Sequence, residues 1–100
     1  MGSVRQMDET IVGRFVLSIA GRDSGRIHIV VAAEENFFHM VDGKTRKITA
    51  PKKKKIKHVK LLDVRDLETE TMVASGGLTN KLAAAAVKKI ISGEHFCAKR

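Results

Sequence analysis

The chain has a single cysteine, Cys97, a single proline, Pro51, and neither tryptophan nor tyrosine among its 100 residues. One thiol cannot close an internal disulfide or supply a multi-cysteine zinc site, which agrees with a reducing compartment. Four phenylalanines are the whole aromatic stock, and that is little for a module that reads single-stranded bases by stacking them on exposed rings. Long apolar runs are missing as well. The longest, Leu82 to Val87, is six residues and mostly alanine, against the ~20 that a membrane span requires. No apolar stretch behind Arg5 offers the core of a secretory signal. The sequence therefore predicts a cytoplasmic protein without a membrane partner. Its hydrophobic content of 43% suits one small domain, since a chain of this length buries roughly 65% of its unfolded surface.

What the chain has in excess is positive charge: 19 Lys and Arg against 11 Asp and Glu give a net +8. The excess is local. Lys44, Arg46, Lys47, Lys52, Lys53, Lys54, Lys55, Lys57 and Lys60 fall within 17 positions that hold no acidic residue, a charge of +9. The other 83 positions carry ten basic and eleven acidic side chains, so the remainder is nearly neutral. A run of like charges is often a solvated loop. Here four adjacent ammonium groups repel one another with no visible core contact to compensate, and a polyanion would relieve that repulsion. An anionic membrane surface is the other common partner of such a run, but no amphipathic helix or lipid anchor lies beside it.

Along the chain, residues 1–10 are polar and predicted to fray. Phe15 to Ile19 and Ile27 to Ala33 read as strands, separated by the turn formers Gly21-Arg22-Asp23-Ser24-Gly25. Phe37 to Val41 is a third strand. Asp42-Gly43 then predicts a tight type I′ hairpin into Lys44 to Ile48, which would place Val41 opposite Lys44 and His39 opposite Arg46. A basic loop over 49–58 and a closing strand over Ile56 to Val64 complete a predicted domain of residues 11–66. Five short strands of this kind predict a mainly β fold, a small SH3-like barrel. Residues 67–100 form a C-terminal extension. Asp63, Asp66, Glu68 and Glu70 make an acidic patch, read as a solvated or strand-alternating surface. A helix follows over about 80–92, capped by Thr79 and stopped by Gly93. Leu82, Ala83, Ala86, Val87 and Ile90 share the face that would pack on the barrel.

The stretch Gly13-Arg14-Phe15-Val16-Leu17-Ser18-Ile19-Ala20-Gly21-Arg22-Asp23-Ser24-Gly25-Arg26 resembles the KOW motif, with Gly25 at its fixed glycine. Val41 to Ile48 and Pro51 to Leu61 are similar to bacterial stand-alone KOW proteins, themselves similar to the archaeal and eukaryotic large-subunit ribosomal protein of the fourteen-e type. The resemblance covers Gly13 to Leu61. It implies an SH3-like barrel that binds RNA, ribosomal by implication, in a translation setting, with ribosomal proteins as possible neighbours, no catalysis and no cofactor.

Charge and resemblance nominate the same surface. Lys52, Lys53, Lys54, Lys55, Lys57 and Lys60 are expected to contact phosphates, with Lys44, Arg46 and Lys47 extending the patch. Lysine suits this work as a mobile point charge that demands no particular orientation. Six such contacts predict that log K falls against log salt with a slope of about −4 to −5. The basic arm, Lys44 to Lys60, is expected to contribute little to the core. Arg22 and Arg26 are further candidate contacts, unless Asp23 pairs with one of them; His58 either stacks on a base or sugar or fills a strand position. Gly21, Gly25, Asp42 and Gly43 are turn residues. His28, His39, His58 and His95 are scattered, with no zinc or nucleophile spacing, so neither an enzyme nor a metal site is expected. The competing class is a protein-interaction module of the transcription or translation machinery, because fold alone does not choose a partner.

Overall fold

The computed structural model describes residues 11–92; the expected fraying of residues 1–10, the Gly93 stop, His95 and Cys97 lie outside them. Five strands form one antiparallel sheet: β1 (Phe15–Ser18), β2 (Ile27–Ala33), β3 (Phe37–Val41), β4 (Lys52–Lys55) and β5 (Val59–Leu61). Two helices follow, α1 (Leu67–Ser75) and α2 (Asn80–Ser92). The result is a mixed α/β unit rather than a mainly β one.

Strand order is β4-β3-β2-β1-β5. In register, Phe15 faces Ile29, Ile29 faces Val41, Phe38 faces Lys54 and Leu17 faces Lys60. The edge strands β4 and β5 are nonetheless consecutive in sequence, joined only by the 3-10 turn Ile56–His58. Four strand spacings of ~4.8 Å would part the edges of a flat sheet by about 19 Å, whereas three 3-10 residues advance about 6 Å. The sheet is therefore strongly curled. Both faces of its central strands β1–β3 are buried, which is why these strands read as apolar runs rather than as an alternation. Val16, Val30, Phe38 and Met40 form the inner cluster. On the outer face, Phe15, Ile29 and Val41 pack with Val64, Leu78, Ala83, Ala86, Val87 and Ile90.

Helix α2 keeps the expected bounds, and Thr79 caps it by accepting a hydrogen bond from the Leu82 amide at 3.1 Å. Of the expected apolar face, Ala83, Ala86, Val87 and Ile90 are buried, but Leu82 is 41% exposed. The acidic stretch is not strand-like. Asp66 and Glu68 open helix α1, where carboxylates favour the positive end of the helix dipole, and Gly76, at φ +80°, closes it with Gly77 donating to the Met72 carbonyl. Arg65 grips Glu70 through two hydrogen bonds of 3.0 and 2.7 Å.

The β3–β4 connection departs most from expectation. Lys44 to Ile48 is not a strand, and β3 pairs instead with the lysine run, so that His39 faces Lys53 and Met40 faces Lys52. The cause is Asp42. Its carboxylate accepts hydrogen bonds from the Lys44 and Arg46 amides and the Thr45 hydroxyl at 2.7–2.9 Å, a local turn that competes with a hairpin ladder. The loop is then tied to α2 by the Ile48 amide, which donates to Asn80 Oδ1 at 2.8 Å. Likewise residues 52–58 of the expected loop over 49–58 are β4 followed by the 3-10 turn, only 49–51 staying a loop, and the expected strand over Ile56 to Val64 shrinks to Val59–Leu61.

Candidate nucleic-acid interface

Strand alternation resolves the repulsion within the lysine run. Neighbouring side chains in β4 point to opposite faces, so Lys53 and Lys55 are exposed while Lys52 is half-buried and Lys54 is only 8% exposed. Lys54 Nζ donates to Asp23 Oδ1 and to the Ala20 carbonyl, both at 2.6 Å. Asp23 also accepts from the Ser18 hydroxyl at 2.9 Å. Two expectations are corrected together: Lys54 is a buried structural cation rather than a phosphate contact, and Asp23 pairs with it rather than with Arg22 or Arg26. The lysine run is thus part of the fold and not an appendage.

The remaining cations follow one path. Lys53 and Lys55 on β4, Lys57 on the 3-10 turn and Lys60 on β5 are all exposed, a ribbon of charge along the seam formed by the 3-10 turn and the two edge strands it links. Lys53 Nζ lies 3.6 Å from Glu34 and 4.6 Å from the centre of the Phe37 ring. Such exposed contacts are worth at most about 1 kcal/mol, so a phosphate competes with them. Glu34 also pairs with His39, and that hydrogen bond, aided by the charge of Lys53, holds its carboxyl below the usual range. His58 is half-buried at the end of the 3-10 turn rather than at a strand position, and its carbonyl accepts the Ile19 amide at 2.9 Å.

Arg46 and Lys47 are exposed on the β3–β4 loop and Arg22 on the β1–β2 loop. Gly21 and Gly25 have φ of +87° and +90°, conformations that favour glycine. Arg26 and Lys44 do not join the ribbon. They line a separate cavity with Lys88 of α2, a residue absent from the sequence-based candidates. Its role depends on a tertiary contact between three distant segments, which no local pattern signals. Phe15 and Phe38 are buried and Phe37 is half-buried, so among the described residues no aromatic ring stands free for a base.

His28 is fully buried, and neither ring nitrogen has a hydrogen-bond partner among the described residues. Its Nε2 lies 3.8 Å from Asp42 Oδ2. Burial pushes its pKa down, and the charges of Asp42 and Asp23 only partly oppose this. The unfolded chain therefore binds a proton near pH 6.5 that the folded chain refuses. Stability is full above that pH and declines as pH falls below it, by at most about 1.4 kcal/mol per unit. Denaturant titrations at pH 7.5, 6.5 and 5.5 are expected to show this decline, and His28→Leu is expected to flatten it.

Among the described residues no three His, Cys, Asp or Glu side chains cluster closely enough to hold a metal ion, and no helix is long and apolar enough to cross a membrane. No family model matches this chain, and no curated protein matches it.

Proposed function

We propose that this protein is an RNA-binding module that docks on the phosphates of folded RNA, in a ribosomal or translation setting, and that its curled sheet is a KOW-type, SH3-like barrel. The single observation carrying the reading is the ribbon Lys53, Lys55, Lys57 and Lys60, four exposed cations following one seam, with half-buried Lys52 beside it. The strand order, with its 3-10 link between the two edges, supports the barrel. Guarding a sheet edge against aggregation is the other established use of edge lysines. It accounts for Lys53 and Lys55 on the edge strand, but not for Lys57 in the turn or for Arg46 and Lys47 on a loop. Without a free aromatic ring, recognition rests on phosphate position and RNA shape rather than on base identity.

With Lys54 withdrawn, five lysines remain for phosphates. Titrating a structured RNA at several salt concentrations is expected to give a slope of about −3.5 to −4.5 in log K against log salt. Replacing Lys53, Lys55, Lys57 and Lys60 together by Ser should bring the slope to about −1 while leaving the fold intact. Affinity that is absent, or indifferent to salt, would remove the proposal and favour the protein-interaction class.

A further inference from the structure

A cavity of about 350 Å³ opens between the β1–β2 loop, the β3–β4 loop and α2. Its volume sits at the lower end of the ~300–1,000 Å³ typical of small-molecule sites. Three cations from distant segments, Arg26, Lys44 and Lys88, line it. All three are exposed, and among the described residues none of their side chains has a hydrogen-bond or ion-pair partner. Asp42 also lines the cavity, but both of its oxygens are engaged by Lys44, Thr45 and Arg46 in the loop beneath. The cavity therefore carries a net charge of about +2. Its remaining wall is apolar, built from Ile27, Ala84, Val87 and Ile91. Ile91 is 67% exposed, an apolar surface left at the mouth of a basic pocket.

A phosphomonoester carries about −1.5 to −2 charges at pH 7, which matches this lining where a single carboxylate would leave a cation unpaired. The arginine fork grips two phosphate oxygens while the lysines follow as point charges. The apolar wall calls for a ligand whose phosphate is attached to a flat or greasy body. We propose that the cavity binds one nucleotide bearing a terminal phosphate, its phosphate held by Arg26, Lys44 and Lys88 and its base or ribose against Ile27, Val87 and Ile91. The phosphomonoester follows from the cavity itself; the choice of a nucleotide rests on the RNA-binding reading above. The source is either a free mononucleotide or the 5′ end of an RNA.

The test uses the full chain labelled with 15N, titrated with AMP, adenosine and inorganic phosphate while the amides of Gly25, Ala84 and Val87 are followed. AMP is expected to shift all three saturably, and adenosine and phosphate to bind at least about tenfold more weakly. Lys88→Ala is expected to weaken AMP about threefold or more without moving the melting temperature. A 5′-phosphorylated tetranucleotide binding more tightly than AMP assigns the site to RNA ends; AMP binding more tightly assigns it to the free nucleotide. The seam variant with four Ser replacements should keep the AMP shifts, so failure of the RNA reading is seen separately. No shift at these three amides, equal shifts from adenosine, or no effect of Lys88→Ala would overturn the inference.

Discussion

Gly43→Ala is expected to lower stability by about 3 kcal/mol or more, a fall of roughly 12–24 °C in melting temperature for a domain of this size. Gly43 sits at φ +81°, where a β-carbon costs about 1–2 kcal/mol. A Cβ there would also overlap the Asn80 carbonyl and lie 2.7 Å from the Ala84 amide nitrogen. Both obstacles are backbone of α2, so neither swings aside as a side chain would, and overpacking adds about 1–3 kcal/mol. Gly25→Ala is the control. Its φ is +90° but nothing lies within 4 Å of the added carbon, so only the conformational part, about 1–2 kcal/mol, is expected. Thermal unfolding of the two variants separates backbone preference from docking of the loop on the helix. Equal losses would mean that the loop does not bear on α2.

That docking marks the limit of what the amino-acid sequence discloses. The first three strands are legible because each is a short apolar run ended by turn formers, and α2 is legible because Thr79 and the Ala83–Ala86–Val87–Ile90 spacing are local signals. Asp42-Gly43 carries an equally strong local signal for a two-residue hairpin, yet it fails. The Asp42 side chain hydrogen-bonds forward into its own loop, and Gly43 is needed against α2, nearly forty residues away. Helix α1 is hidden for a different reason. Its one buried residue is Thr69 and Leu67 is 77% exposed, so no apolar stripe announces it. In the interface, charge counting locates the exposed seam because lysines at Lys53, Lys55, Lys57 and Lys60 act through solvent-facing charge alone. It cannot separate Lys54 from its neighbours, because the difference lies in strand parity and in a carboxylate 31 positions earlier.

Lys54→Met is expected to cost about 2–3 kcal/mol, whereas Lys53→Ser, one position away, should cost less than about 1 kcal/mol. Removing one partner of a fully buried ion pair typically costs about 3–5 kcal/mol. The Asp23 side chain retains 16% exposure, so water relieves part of that penalty. Methionine keeps the aliphatic stem and deletes only the ammonium, which isolates the ionic part. Burial alone would raise the Asp23 carboxyl, but hydrogen bonds from Lys54 and Ser18 and the charge of Lys54 outweigh it and hold the pKa at about 2. The folded chain thus keeps Asp23 ionised where the unfolded chain, with a pKa near 3.8, has begun to protonate it. The pair's contribution is complete above about pH 4 and disappears as pH falls through 2. Lys54→Met should abolish this acid-linked part of the stability while leaving the decline that begins at pH 6.5, which belongs to His28. Adding Asp23→Asn to Lys54→Met neutralises the stranded carboxylate and keeps a partner for Ser18, so the double variant should be more stable than the sum of the single losses by about 1–2 kcal/mol. Denaturant melts of the four proteins complete the cycle; strict additivity would show that the two side chains do not act as a pair. The same set of proteins divides folding from binding: Lys54→Met at neutral pH and low temperature should retain the RNA affinity and salt slope of the parent chain, because the ammonium it removes faces Asp23 and not the seam.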